Sequence, residues 1–154
     1  VQMPPLRVEG LAPQLSWSEV LRGSGYDSVE DLPQDVADNI AVMAASMFQP
    51  LRDELGFPLT VLSGVRSPAA NRRCGGARKS QHLTGLALDL RGPSEVHTLQ
   101  IFDAANQMQR SGRLPKGGLA LYLRKDGSVR FCHIDARGRL ARWNGGARKT
   151  AALS

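Results

Sequence analysis

Three residues in this chain of 154 have the chemistry of metal ligands and positions from which a sheet could gather them: His82, Asp89 and His133. Asp89 stands between Leu88 and Leu90 in Leu86-Ala87-Leu88-Asp89-Leu90, a run that reads as a β-strand. A carboxylate in an apolar strand needs a cation or several donors to offset its desolvation. Alternation sends Leu86, Leu88 and Leu90 to one face and Ala87, Asp89 and Arg91 to the other. His82 precedes this strand, and Gly85 lets the chain bend between them. In Val129–Arg137 the same alternation puts Phe131, His133 and Asp135 together, with Cys132 and Ile134 opposite. Two imidazoles and one carboxylate on zinc leave a charge of about +1 and one position for water, whose pKa falls to roughly 7 there. Such a set suits a hydrolase. The competing reading is three unrelated, separately satisfied residues.

The elements that must position these residues are legible in outline. Leu59-Thr60-Val61-Leu62 reads as a strand neighbouring 86–90. Leu119–Leu123 and Val129–Ile134 flank Lys125-Asp126-Gly127-Ser128, a hairpin signal that places His133 on a strand able to join the same sheet as Asp89. Arg139–Trp143 adds a short last strand. Ser16-Trp17-Ser18-Glu19 has capping-box spacing and opens a short helix through about Leu21, with loop from Gly23 to Pro33. Val36, Ile40, Met43, Met47 and Leu51 mark an amphipathic helix from Gln34 to about Leu55, kinked by Pro50, its methionines serving as core. Gly64 to Gln81 reads as a long functional or metal-bound loop. Pro93-Ser94 starts a helix to about Gln109, with His97 as a surface histidine in its first turn. The expected fold is α+β: one domain over 15–143, a small antiparallel sheet carrying the site, and flanking helices. Residues 1–14 read as an extended arm and 144–154 as a flexible basic tail.

Ser63-Gly64-Val65-Arg66-Ser67-Pro68, Asn71, then Ser80-Gln81-His82-Leu83-Thr84-Gly85-Leu86-Ala87-Leu88-Asp89, and finally His133-Ile134-Asp135 resemble a known family. They are similar to the signature blocks of the zinc D-Ala-D-Ala carboxypeptidases and peptidoglycan endopeptidases, patterned SGYRSP, SxHxxGxAxD and a late histidine. The ending HIDARGRLARW, His133 to Trp143, resembles the phage and bacterial cell-wall branch. The likeness runs from about residue 15 to 143. It implies the hedgehog and D,D-peptidase fold group and one zinc ion on His82, Asp89 and His133. It also implies that Arg66 holds the substrate carbonyl and oxyanion, with Ser80 beside it in substrate binding. The substrate it implies is a peptidoglycan peptide, cut by a carboxypeptidase, endopeptidase or endolysin-like enzyme that is periplasmic, wall-located or phage-encoded. Two positions depart from the pattern. The acid that serves as base three residues before the last histidine is Arg130, which cannot take a proton at neutral pH. Asp135 is the replacement candidate, either as base or as a group orienting a zinc-bound histidine. The tyrosine of SGYRSP is Val65, expected to loosen a substrate contact.

The bulk numbers set further bounds. A hydrophobic share of 42% without an apolar run near 18 residues gives a chain with no expected membrane span. Val1-Gln2-Met3-Pro4-Pro5 shows no signal-peptide apolar region, which leaves export open. Residues 1–64 carry three arginines against nine acids, while 65–154 carry 17 basic residues against five acids. The basic half holds the candidate site. Its field either attracts anionic partners or is a solvated surface. Arg66, Arg72, Arg73, Arg78 and Lys79 are no phosphate cradle without GxxxxGK[ST] after a strand, so no nucleotide is expected; nucleic acid is not an expected partner either, and the expected state is a monomer. Cys74 and Cys132 either pair in an oxidising compartment or stay thiols. The alternatives to an enzyme are a zinc-bearing wall-binding module and a phage structural component.

Overall fold

The protein is described by a computed structural model over residues 10–146. It opens with a two-stranded hairpin, β1 (Gly10–Ala12) and β2 (Leu15–Ser16). Part of the arm read as 1–14 is therefore paired, and residues 1–9 lie outside the described residues. Helix α1 (Trp17–Leu21) starts where its capping box demands, with the Ser16 hydroxyl accepting from the Glu19 amide and the Glu19 carboxylate accepting from the Ser16 amide. A 3₁₀ turn at Val29–Asp31 interrupts the expected loop.

Helix α2 (Gln34–Met43) passes through a π-helical stretch, Ala44–Phe48, into α3 (Gln49–Leu55). Pro50 explains the change of pitch. It has no amide to donate, and its ring clashes with a carbonyl one turn back, so the helix widens before it and the Gln49 amide reaches back to the Ala44 carbonyl. Gly56, with φ of 73°, ends the element.

Five further strands form one sheet in the order β3-β4-β6-β5-β7. They are β3 (Thr60–Ser63), β4 (Ala87–Arg91), β5 (Gly118–Leu123), β6 (Val129–Asp135) and β7 (Ala141–Gly146). The first four neighbours pair antiparallel, but β7 lies parallel to β5, so the sheet is mixed rather than wholly antiparallel. Strand β7 runs through Gly146, so residues 144–146, read as the start of a tail, belong to a strand, and 147–154 lie outside the described residues. Two helices complete the α+β domain. The first is α4 (Pro68–Arg73), inside the stretch read as a loop; the second is α5 (Glu95–Ser111), capped by the Ser94 hydroxyl.

Burial divides the sheet by face. Leu88, Leu90, Leu119, Cys132 and Ile134 are buried and join Ile40, Met43, Met47, Phe48, Ile101, Ala105 and Met108 from the helices in one core. Burying that face fixes the register, since a one-residue slip would turn every leucine to the other side. The opposite face carries Asp89 and His133 beside Ala120, Tyr122, Phe131 and Trp143.

Candidate metal centre and cleft

One row of register partners crosses this second face: Ser63 opposite Asp89, Asp89 opposite His133, His133 opposite Ala120, and Ala120 opposite Trp143. Sheet pairing therefore brings Asp89 and His133 together although 44 residues separate them. His82 arrives from a 3₁₀ turn, Gln81–Thr84, capped by the Ser80 hydroxyl and closed by Gly85 at φ of 81°. A side chain at Gly85 would also strike Ile40, 2.7 Å from its Cβ position. The ligand atoms of His82, Asp89 and His133 all lie within 4.8 Å of one another, and all three residues are buried.

Hydrogen bonds on the outer side set both tautomers. His82 Nδ1 is 2.6 Å from the Gly64 carbonyl, which can only accept, so Nδ1 carries the proton and Nε2 keeps its lone pair. His133 Nε2 is 2.8 Å from Asp135 Oδ2, so Nε2 donates there and Nδ1 keeps its lone pair. Both lone pairs then face Asp89 Oδ1, at 3.2 Å from His82 Nε2 and 3.0 Å from His133 Nδ1. Three acceptors aimed at one point call for a cation between them, and nitrogen and oxygen donors of this kind fit a divalent metal. Burial alone would raise the Asp89 carboxyl; in the metal-free cluster, a proton taken up between Oδ1 and the His133 or His82 ring supplies the hydrogen bonds and charge that hold it well below the usual range, the place a metal cation would take. For His133, burial favours the neutral ring, but Asp135 and Asp89 outweigh it and raise its pKa.

Arg66 is half-buried beside the cluster. Its Nε donates to Ser63 Oγ at 3.1 Å, Nη1 to Asn71 Oδ1 at 3.2 Å and Nη2 to Asp89 Oδ2 at 3.3 Å. Asn71, buried on α4, is itself fixed by donating to the Ala77 carbonyl. Helix α4 is a brace for Arg66. Its signature was in the sequence as a serine cap with proline at the first helical position.

These groups open into a cleft of about 930 Å³ whose lining includes Ser80, Arg66, Tyr122, Phe131 and Trp143. Trp143 Nε1 donates to the Tyr122 hydroxyl at 3.1 Å, the Trp143 ring lies 5.2 Å from that of His133, and Tyr122 stacks on Phe131 at 4.5 Å. Sequence reasoning assigned no role to Tyr122 or Trp143. Period-2 alternation along β5 would have put Tyr122 on the face of Ala120, but nothing local indicated that β7 lies beside it.

The geometry bears on three readings left open above. Asp135 does not face the cleft: its side chain is fully buried and both oxygens are occupied, Oδ1 by the Gly118 and Arg137 amides and Arg137 Nε, Oδ2 by His133 and Arg137 Nη2. Burial would raise its carboxyl, but those bonds hold it far below the ordinary range, which makes it a poor proton acceptor. Val65 is buried in the core and does not touch the cleft. Cys132 is buried on the apolar face while Cys74 is exposed beyond α4, and both are free thiols. His97 stays outside the cluster, hydrogen-bonded to Ser94 and edge-on to Phe57.

A family model described as Peptidase M15 matches residues 14–135, which include Arg66, His82, Asp89 and His133. The chain belongs to the peptidase M15 family. Among curated proteins nothing matches it. Membership makes it a metallopeptidase-family domain, and the two-histidine, one-aspartate cluster is the group in it that could bind the metal. The match ends at Asp135, so β7 and Trp143 lie beyond it. No helix among the described residues is long and apolar enough to cross a membrane.

Proposed function

We propose that this M15 domain hydrolyses a peptide bond in the stem peptides or cross-links of peptidoglycan, with one zinc ion held by His82 Nε2, an Asp89 oxygen and His133 Nδ1. The observation that carries the reading is the convergence of two lone pairs and a carboxylate at the wall of an open cleft, with both outer nitrogens already engaged. Zinc in such a site acts as a Lewis acid and lowers the pKa of a bound water.

The remaining work falls to the chain. Arg66, tethered by Ser63 and Asn71, presents its guanidinium at the edge of the cluster, where it holds the substrate carbonyl and stabilises the oxygen as charge develops. Tyr122, Phe131 and Trp143 give the substrate backbone an apolar and hydrogen-bonding wall. Ser80 contributes to the cleft while its hydroxyl caps the turn bearing His82. Asp135 works through His133, fixing its ring and tautomer.

One observation favours a second reading, a metal-bearing module that binds cell wall or phage structure without turnover. Asp89 is the sole carboxylate lining the cleft among the described residues, and Arg130 takes the place of the family acid. Digestion of purified peptidoglycan separates the two. Zinc-loaded protein should release new muropeptides, read by mass spectrometry, and His82→Ala should release none. Stoichiometric zinc with no release from the unaltered protein would decide for the binding module.

A further inference from the structure

Arg130 should point away from the site by simple alternation, since it is three residues from His133 and shares the parity of Cys132 and Ile134. It does not. The pairing of β5 with β6 shifts between Tyr122 opposite Phe131 and Leu123 opposite Val129, which leaves Arg130 as the extra residue of a β-bulge. The bulge turns its exposed side chain to the cleft, where the guanidinium sits 5.4 Å from the centre of the Phe131 ring. Arg22, just after α1, and Lys79, in the segment after α4, line the same cleft. Among the described residues none of these three cations has a carboxylate partner, whereas Arg66 is paired with Asp89 and Arg137 with Asp135. A cleft that holds three unpaired cations and no free acid carries a field suited to an anionic ligand.

We propose that Arg130 is a specificity residue: with Arg22 and Lys79 it forms a carboxylate-binding rim, so that the cleft selects peptides whose glutamyl carboxylate is free over those in which it is amidated. The proposal rests on the peptidase reading and narrows its substrate class. Stacking on Phe131 restricts the Arg130 side chain, so less rotamer freedom is lost when it closes on a carboxylate in a two-pronged hydrogen bond. Arginine at this position gives up a proton acceptor and gains an anion receptor.

The test uses the full, zinc-loaded chain and two probes, a stem peptide with its glutamyl carboxylate free and the same peptide with that group amidated. Affinity is read by calorimetry and kcat/KM by product analysis. The expected result is a preference of about tenfold for the free carboxylate, the scale of one charge-assisted hydrogen bond. That ratio should shrink in Arg130→Gln, keep part of its size in Arg130→Lys, and fall as sodium chloride is raised. Lys79→Gln, on a separate segment, must lower the ratio as well, which keeps the test open if the bulge does not tolerate glutamine. Equal handling of the two peptides by the unaltered protein, or an undiminished ratio in Arg130→Gln and Lys79→Gln, overturns the rim and leaves the peptidase reading standing. Preferential binding of the free carboxylate with neither peptide cut supports the rim and overturns the peptidase.

Discussion

At the scale of single residues, the two carboxylates of the site do different work because their surroundings differ. Asp89 turns one oxygen to both histidine lone pairs, while Asp135 is enclosed by five donors and sits behind His133. Asp135→Asn keeps an oxygen able to accept from His133 but removes the charge that holds the ring and Arg137. Zinc affinity should fall about 10-fold to 100-fold, measured by chelator competition, and turnover should return when zinc is added in excess. Turnover that stays lost in a folded, zinc-saturated protein would restore Asp135 as the base. Arg66→Lys probes the other side. Lysine keeps the charge but not the fork that reaches Ser63, Asn71 and Asp89 together, so kcat should drop on the order of 100-fold. Zinc content, read by elemental analysis, should stay stoichiometric.

At the scale of elements, positions without side chains make the site possible. Gly118 on β5 lies between Asp135 and Trp143: a Cβ there would come within 2.4 Å of Asp135 Oδ2, 2.8 Å of Arg137 Nη2 and 2.9 Å of the Trp143 ring. Gly118→Ala should therefore cost about 1–3 kcal/mol, seen as a lower denaturation midpoint, and should weaken zinc retention by moving Asp135 off His133. An unchanged midpoint and unchanged zinc affinity would mean the strand yields more than its buried register suggests. The parts legible in the sequence are those governed by neighbours along the chain. The Ser16 capping box, the Ser94 cap, the Pro50 disturbance and the alternation around Asp89 and His133 all act within a few residues. What could not be read depends on distant partners. The parallel seat of β7 has no local signature, and the bulge at Arg130 exists only as a mismatch between two strands. Helix α4 was hidden differently, because arginine and glycine in the same stretch outweighed its serine-proline start.

At the scale of the whole molecule, the metal would tie together segments that the fold otherwise holds separately. His82 comes from a turn that packs beside α2, Asp89 from β4 and His133 from β6, so zinc bound among them favours the folded chain over any state in which the sheet has opened. At a free zinc concentration of about 1,000 times the dissociation constant this linkage adds roughly 4 kcal/mol. For a domain of this size each kcal/mol is worth about 2–4 °C, so stripping zinc with a chelator should lower the melting temperature by roughly 8–16 °C. The gap should close as pH falls from neutral into the acid range and protons compete for the lone pair of His133, whose raised pKa makes it protonate earlier than an ordinary imidazole. Asp89, held well below the usual carboxylate range, remains ionised throughout that interval and does not contribute to the loss. Calorimetric melts with and without chelator, repeated on His82→Ala, would decide the matter, because the variant should melt at one temperature under both conditions. A melting temperature indifferent to zinc in the unaltered protein would show that His82, Asp89 and His133 meet for a reason other than metal, whatever the protein does to peptidoglycan.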